Sequence, residues 1–199
     1  LWQWQPNEIS VFSLWQAVSV ICIALFAPMI AYGRSKKNIA VGIFLCTIFI
    51  GPLPIVLRLL EPFVGINLMP VNGSDALWWI LLFHGCLAVT LGSLGFIFIG
   101  SMAMEIVEDV EKNTGRREEG LLGTVNAFIH KLVGAGGVLI AGLIVSWAGF
   151  DDPNATQEML NGEVINRFAF VHVVLGFCLP IFSTLLVLMF DIDRRGHLE

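Results

Sequence analysis

Five stretches of this chain stay apolar long enough to cross a bilayer: Ile9–Tyr32, Ile39–Leu60, Leu77–Ser101, Leu121–Ala148 and Phe168–Phe190. A hydrocarbon core about 30 Å thick takes roughly 20 residues of helix, and every run meets that length. Polar segments rich in Gly, Asn, Asp and charged residues separate the runs. The pattern predicts an all-α integral membrane protein with five transmembrane helices in one bundle, and the lipid bilayer as its main partner.

Composition agrees. Of the 199 residues, 56% are hydrophobic and 14% are charged, whereas a soluble domain has about a quarter of its residues charged. The net charge of -5 comes from the acidic loops, and no nucleic-acid partner is expected. None of the runs has the short apolar core and small-residue cleavage site of a secretory signal. Cys22, Cys46, Cys86 and Cys178 fall singly in four different runs, without metal-ligand spacing. They read as small apolar packing residues, and neither a metal nor a cofactor is expected.

Basic residues set the orientation, because Lys and Arg in short loops resist translocation. Arg34, Lys36 and Lys37 lie between the first two runs, Lys112, Arg116 and Arg117 between the third and fourth, and Arg194 and Arg195 in the tail. These positions define the cytoplasmic side, so the amino end faces outside and the carboxy end the cytoplasm of a multi-pass cell-membrane protein. The odd number of crossings, the outside amino end and an opening Leu1-Trp2-Gln3-Trp4 without Met together predict that something preceding Leu1 is missing and that the chain is a fragment.

Three segments carry chemistry. In the second run, Gly51-Pro52-Leu53-Pro54 removes backbone donors and predicts a kink, either purely structural or lining a site. After the third run, Glu105, Glu108 and Lys112 recur at spacings of three and four, one stripe of a helix continuing beyond the membrane. Asn113-Thr114-Gly115 then reads as a turn before Arg116-Arg117-Glu118-Glu119. Such opposite charges at the foot of two helices are either a solvated loop or a latch whose pairing changes between conformers.

The fourth run is the most informative. Gly120, Gly123, Thr124, Ala127, Lys131, Gly134, Gly137 and Ala141 form one small-residue face, which permits close helix packing or lines a cavity. Lys131 lies on it about 15 Å beyond Leu121 at 1.5 Å per residue, in the middle of the bilayer. An ammonium there costs about 2.5–3.5 kcal/mol or more to insert, so it is either a functional group facing water or an anion, or one half of a packing ion pair. Asn126 and His130, four residues apart on an adjacent face, extend that polar lining. His84 and His172 sit nearer the outer surface. Asn72-Gly73-Ser74 and Asn154-Ala155-Thr156 match the glycosylation sequon and carry no function here.

The run Met102–Glu111, then Arg117-Glu118-Glu119-Gly120, then Asn126 through Lys131 to Gly134, resembles the loop between helices ten and eleven, and helix eleven itself, of the glycoside–pentoside–hexuronide:cation symporters, the melibiose permease-like branch of the major facilitator superfamily. The likeness extends over nearly the whole chain. It implies that the five helices are helices 8–12 of a twelve-helix fold, and that the protein is a secondary active transporter performing sugar:cation symport by alternating access. The partners are then a small-molecule solute, a sugar, with Na+ or H+ as the coupling cation, and the missing amino-terminal half of the same protein. It implies a cytoplasmic gate of Glu105, Glu108, Glu111, Arg117 and Glu119, and substrate or cation coupling by Lys131, with Asn126 and His130 beside it. Phe96 stands where the family places a sugar-stacking tryptophan, and a phenyl ring can stack on a pyranose. Alternatives are a lysolipid or other solute transporter of the same superfamily and a non-transporting membrane scaffold subunit. An enzyme is not expected, since no HExxH, GxSxG or pair of Asp at membrane depth occurs.

Overall fold

The computed structural model describes residues 2, 4, 6–116, 119–149 and 162–189, and among them every regular element is an α-helix. The order is α1 (Pro6–Ala31), α2 (Lys36–Ile50), α3 (Leu53–Val64), α4 (Asp75–Thr114), α5 (Glu119–Ala148) and α6 (Gly162–Leu188). With α2 and α3 counted as one interrupted span, five helices are long and apolar enough to cross a membrane. The chain forms two compact units. One holds α1–α3, α4 up to Met102 and α6 from Val173; the other holds the rest of α4, α5 and the beginning of α6.

Helix ends depart from the apolar runs where polar residues make good first and last turns. The segment Lys36–Asn38, expected in a loop, is the first turn of α2, because the chain has already reversed at Gly33, whose φ of +69° suits a residue without Cβ. Helix α4 runs on through Asn113 and Thr114, also expected in a turn, and closes at Gly115 with φ +68°. There the Gly115 amide donates to the Glu111 carbonyl at 2.8 Å, a left-handed glycine cap. At 40 residues α4 is about 60 Å long, well beyond the membrane thickness. Helix α6 starts at Gly162, ahead of Phe168, its first turns supported by the Glu163–Arg167 pair at 2.5 Å.

In the larger unit, Ala27 of α1, Ala40 and Ile43 of α2, Leu94, Phe98 and Met102 of α4 and Val187 of α6 form one buried cluster. Met69, Leu77 and Leu81 form a second, covered by Trp2, Trp4, Phe12 and Leu57. Gly85 and Gly95 let α4 come close: a Cβ at Gly85 would lie 2.7 Å from Gln16 Nε2, and one at Gly95 3.1 Å from Phe44.

The expected interruption falls at Gly51–Pro52, between α2 and α3. The carbonyl of Ile50 would normally accept from the amide four residues on, but residue 54 is proline and has none. His84 of α4 fills the vacancy, its Nε2 lying 2.6 Å from the Ile50 oxygen. Since a carbonyl only accepts, Nε2 carries the proton. Gly176 of α6 packs against Pro52, where a Cβ would come within 3.2 Å of the ring. The proline break is thus held by two neighbouring helices. His84→Leu leaves the Ile50 carbonyl unsatisfied, and a loss of about 1–3 kcal/mol is expected, read as a lower melting temperature in detergent with faster amide exchange around residues 50–56. Unchanged melting would show that water replaces the imidazole there.

Candidate functional site

Site residues expected from the sequence occupy α4 and α5. In the smaller unit, α4 and α5 meet around a cavity of about 130 Å³ lined by Ile106, Val107 and Val110 on one side and Leu121, Leu122 and Val125 on the other. These apolar positions turn the acidic stripe away from the contact, so that Glu108 and Glu111 are exposed and Glu105 is half-buried. Glu105, Glu111, Lys112 and Glu119 each take part in a polar or electrostatic contact. Asn113 donates to the Asp109 carboxylate at 3.3 Å, and the Thr114 hydroxyl to the Val110 carbonyl at 2.7 Å, which stiffen the last turn of α4. Arg117, the remaining gate residue, lies outside the described residues, as do Arg194, Arg195 and Asn154.

Lys131, Asn126 and His130 all lie on α5 and are exposed. No residue of the apolar stretch of that helix is buried. A Cβ added at Gly123, Gly134 or Gly137 would meet nothing within 4 Å, so no described residue packs against those three glycines. Of the two uses expected for that face, close packing is not made by the described residues. What remains is a strip of small side chains carrying an ammonium and, one turn apart, an amide and an imidazole. The donors and acceptors of these three side chains at that depth can hold a hydroxylated solute or a carboxylate. Phe96 belongs to the larger unit and is 72% exposed.

Two features escaped the sequence reading. His84, placed near the outer surface, serves the kink, a role signalled by Pro54 lying four residues after Ile50. The second is a knot around Arg58. Its guanidinium donates to Glu61 at 3.0 and 3.3 Å and to the Asn72 side chain, and lies 5.5 Å from the Trp2 ring centre. The Glu61 carboxylate also accepts from the Met69 amide at 2.8 Å. The sequon asparagine Asn72 is therefore engaged by Arg58, and Ser74 caps α4 through the Leu77 amide. The cysteines do not pack as expected: Cys22, Cys46 and Cys178 are exposed, and Cys86 is half-buried. Among the described residues no group of three or more His, Cys, Asp or Glu converges as a metal site.

Residues 1–194 match the model of a family described as MFS/sugar transport protein. No curated protein and no solved structure matches the chain.

Proposed function

The chain belongs to the MFS/sugar transport protein family, and from that premise we propose that this multi-pass membrane protein takes part in sugar:cation symport by alternating access. Its helices would be helices 8–12 of a twelve-helix fold, rocking against an amino-terminal bundle around a midplane site. The observation that carries this reading is Lys131, an ammonium halfway along a membrane-spanning helix whose small-residue face no described residue of this chain covers. A charge at that depth needs a carboxylate or a hydrated cavity. Both are available if the face lines a translocation path. Competition between Lys131 and the coupling cation, Na+ or H+, for the same carboxylates would then link occupancy by ion and by sugar. Asn126 and His130 would contact the solute, and Phe96 is a separate candidate for stacking on a sugar ring.

The test is uptake by the intact protein in vesicles, with glycosides, pentoses and hexuronates offered under an imposed Na+ or H+ gradient. Accumulation of one sugar class against its gradient, abolished when the cation gradient is collapsed, is the expected result. Movement of a lysolipid without sugar uptake would move the protein to the alternative substrate class, and no solute movement at all would favour a scaffold.

The acidic foot of α4 would act as the cytoplasmic gate with Arg117 and Glu119. A gate biases the bundle between states without touching solute, so Glu108→Gln is expected to slow exchange several-fold while leaving equilibrium sugar binding within about twofold. A large loss of affinity at unchanged exchange would put Glu108 in the binding site.

A further inference from the structure

A concavity in the larger unit is unrelated to Lys131. It is a groove of about 600 Å³ between the end of α1, the first half of α2 and the middle of α4, walled by Ile30, Ile39, Cys46 and Leu91. That volume falls within the range of about 300–1,000 Å³ typical of ligand sites. Its polar residues are gathered at one end: Arg34, Ser35 and Asn38. Asn38, Gly42 and Cys46 succeed one another at intervals of four, so the floor is a single row of α2 about 12 Å long. Gly42 sits inside a helix, where glycine is disfavoured, yet a Cβ there would meet nothing within 4 Å. No described residue requires its small size; its effect is to leave the row open to the groove.

We infer that this groove is a binding site for an anionic phospholipid, with one acyl chain along the Asn38–Gly42–Cys46 row and the headgroup phosphate at Arg34. Charge complementarity selects this occupant. Arg34 is exposed at the mouth and forms no ion pair among the described residues, and Lys36 and Lys37 follow it after Ser35. A second helix packed into the groove would have to bring its own acid to that guanidinium, and a zwitterionic headgroup, though it carries the same phosphate, adds a cation beside Arg34, Lys36 and Lys37. Basic pockets between membrane helices on the cytoplasmic side suit anionic headgroups, and the positive-inside rule assigns this end to that side.

The experiment uses the intact protein in vesicles containing either phosphatidylglycerol or phosphatidylcholine, each carrying a photoactivatable diazirine in the same acyl chain, with crosslinks mapped by mass spectrometry. Phosphatidylglycerol is expected to label residues 39–46 about tenfold more than phosphatidylcholine. Arg34→Gln, on an exposed turn, should remove that preference, and Gly42→Leu, which projects into the groove, should abolish the labelling by both lipids with melting unchanged. Equal labelling by the two lipids would overturn the proposal, as would labelling insensitive to Gly42→Leu. Competition by free glycerol phosphate would show an anion site without a chain-binding groove, and absence of any label at residues 39–46 would show that protein fills it.

Discussion

Lys131→Ala in the intact protein is expected to insert and express normally and yet lose gradient-driven accumulation by about 5–150-fold, the range of a typical coupling free energy between two ligands. The reasoning is electrostatic. An ammonium at membrane depth is tolerated only beside a carboxylate or in water. If it shares carboxylates with the coupling cation, its removal frees those acids and uncouples ion from sugar before it disturbs folding. Lys131→Arg keeps the charge and should retain part of the accumulation. A packing ion pair behaves differently, because removing one partner of a buried pair commonly costs about 3–5 kcal/mol. The decisive measurement is therefore paired: melting temperature in detergent beside uptake driven by an ion gradient. Full uptake by Lys131→Ala would end its coupling role, and early melting with normal transport by the surviving fraction would assign it to packing.

Arg58→Leu carries the largest expected stability effect. The guanidinium joins α3 to the segment before α4 through Glu61, Asn72 and the Trp2 ring, and its loss leaves the Glu61 carboxylate with the Met69 amide as its remaining described donor. Both side chains are largely withdrawn from solvent, at 18% and 15% exposure. The expected loss is about 3 kcal/mol, the low end for breaking a buried pair because the withdrawal is incomplete. Met69 sits in the cluster with Leu77 and Leu81, so the damage should spread to the start of α4. Arg58→Leu with Glu61→Gln, which removes the stranded charge but keeps an acceptor for Met69, should recover most of the loss. A single variant that melts like the parent would show that this knot contributes nothing measurable.

How much of this could be read from the sequence depended on the range of the interaction. Crossing number, the break at Gly51–Pro52 and the all-helical class follow from local features: uninterrupted apolar length and the missing amides of proline. Termini were less legible. Lys36–Asn38, Asn113-Thr114 and Gly162–Arg167 are polar enough to read as loop, but polar residues suit the ends of a helix emerging from the bilayer, where water satisfies them. The depth of Lys131 was legible because helical rise is constant; what faces it was not, because no residue of the apolar stretch of α5 is buried by the described residues. The His84 bond joins positions 34 residues apart. Pro54 announced a carbonyl in need of a donor, but no periodicity says which helix supplies one.

That bond also has a genetic consequence. The Ile50 carbonyl needs His84 because residue 54 has no amide to offer. Pro54→Ala returns the amide, so the Ile50 carbonyl can bond within its own helix without the imidazole, and Pro52 is left to hold the bend alone. Position 54 is therefore an intragenic suppressor site for lesions at position 84. Revertants selected from a destabilised His84 variant should accumulate substitutions there, on a different helix from the original defect. Ile50 itself should be a poor target, because its contribution comes from a main-chain oxygen that every allele shares. If the bend serves transport, such revertants will regain abundance while transporting slowly, and expression and turnover, inseparable in a single mutant, will segregate as two selectable traits.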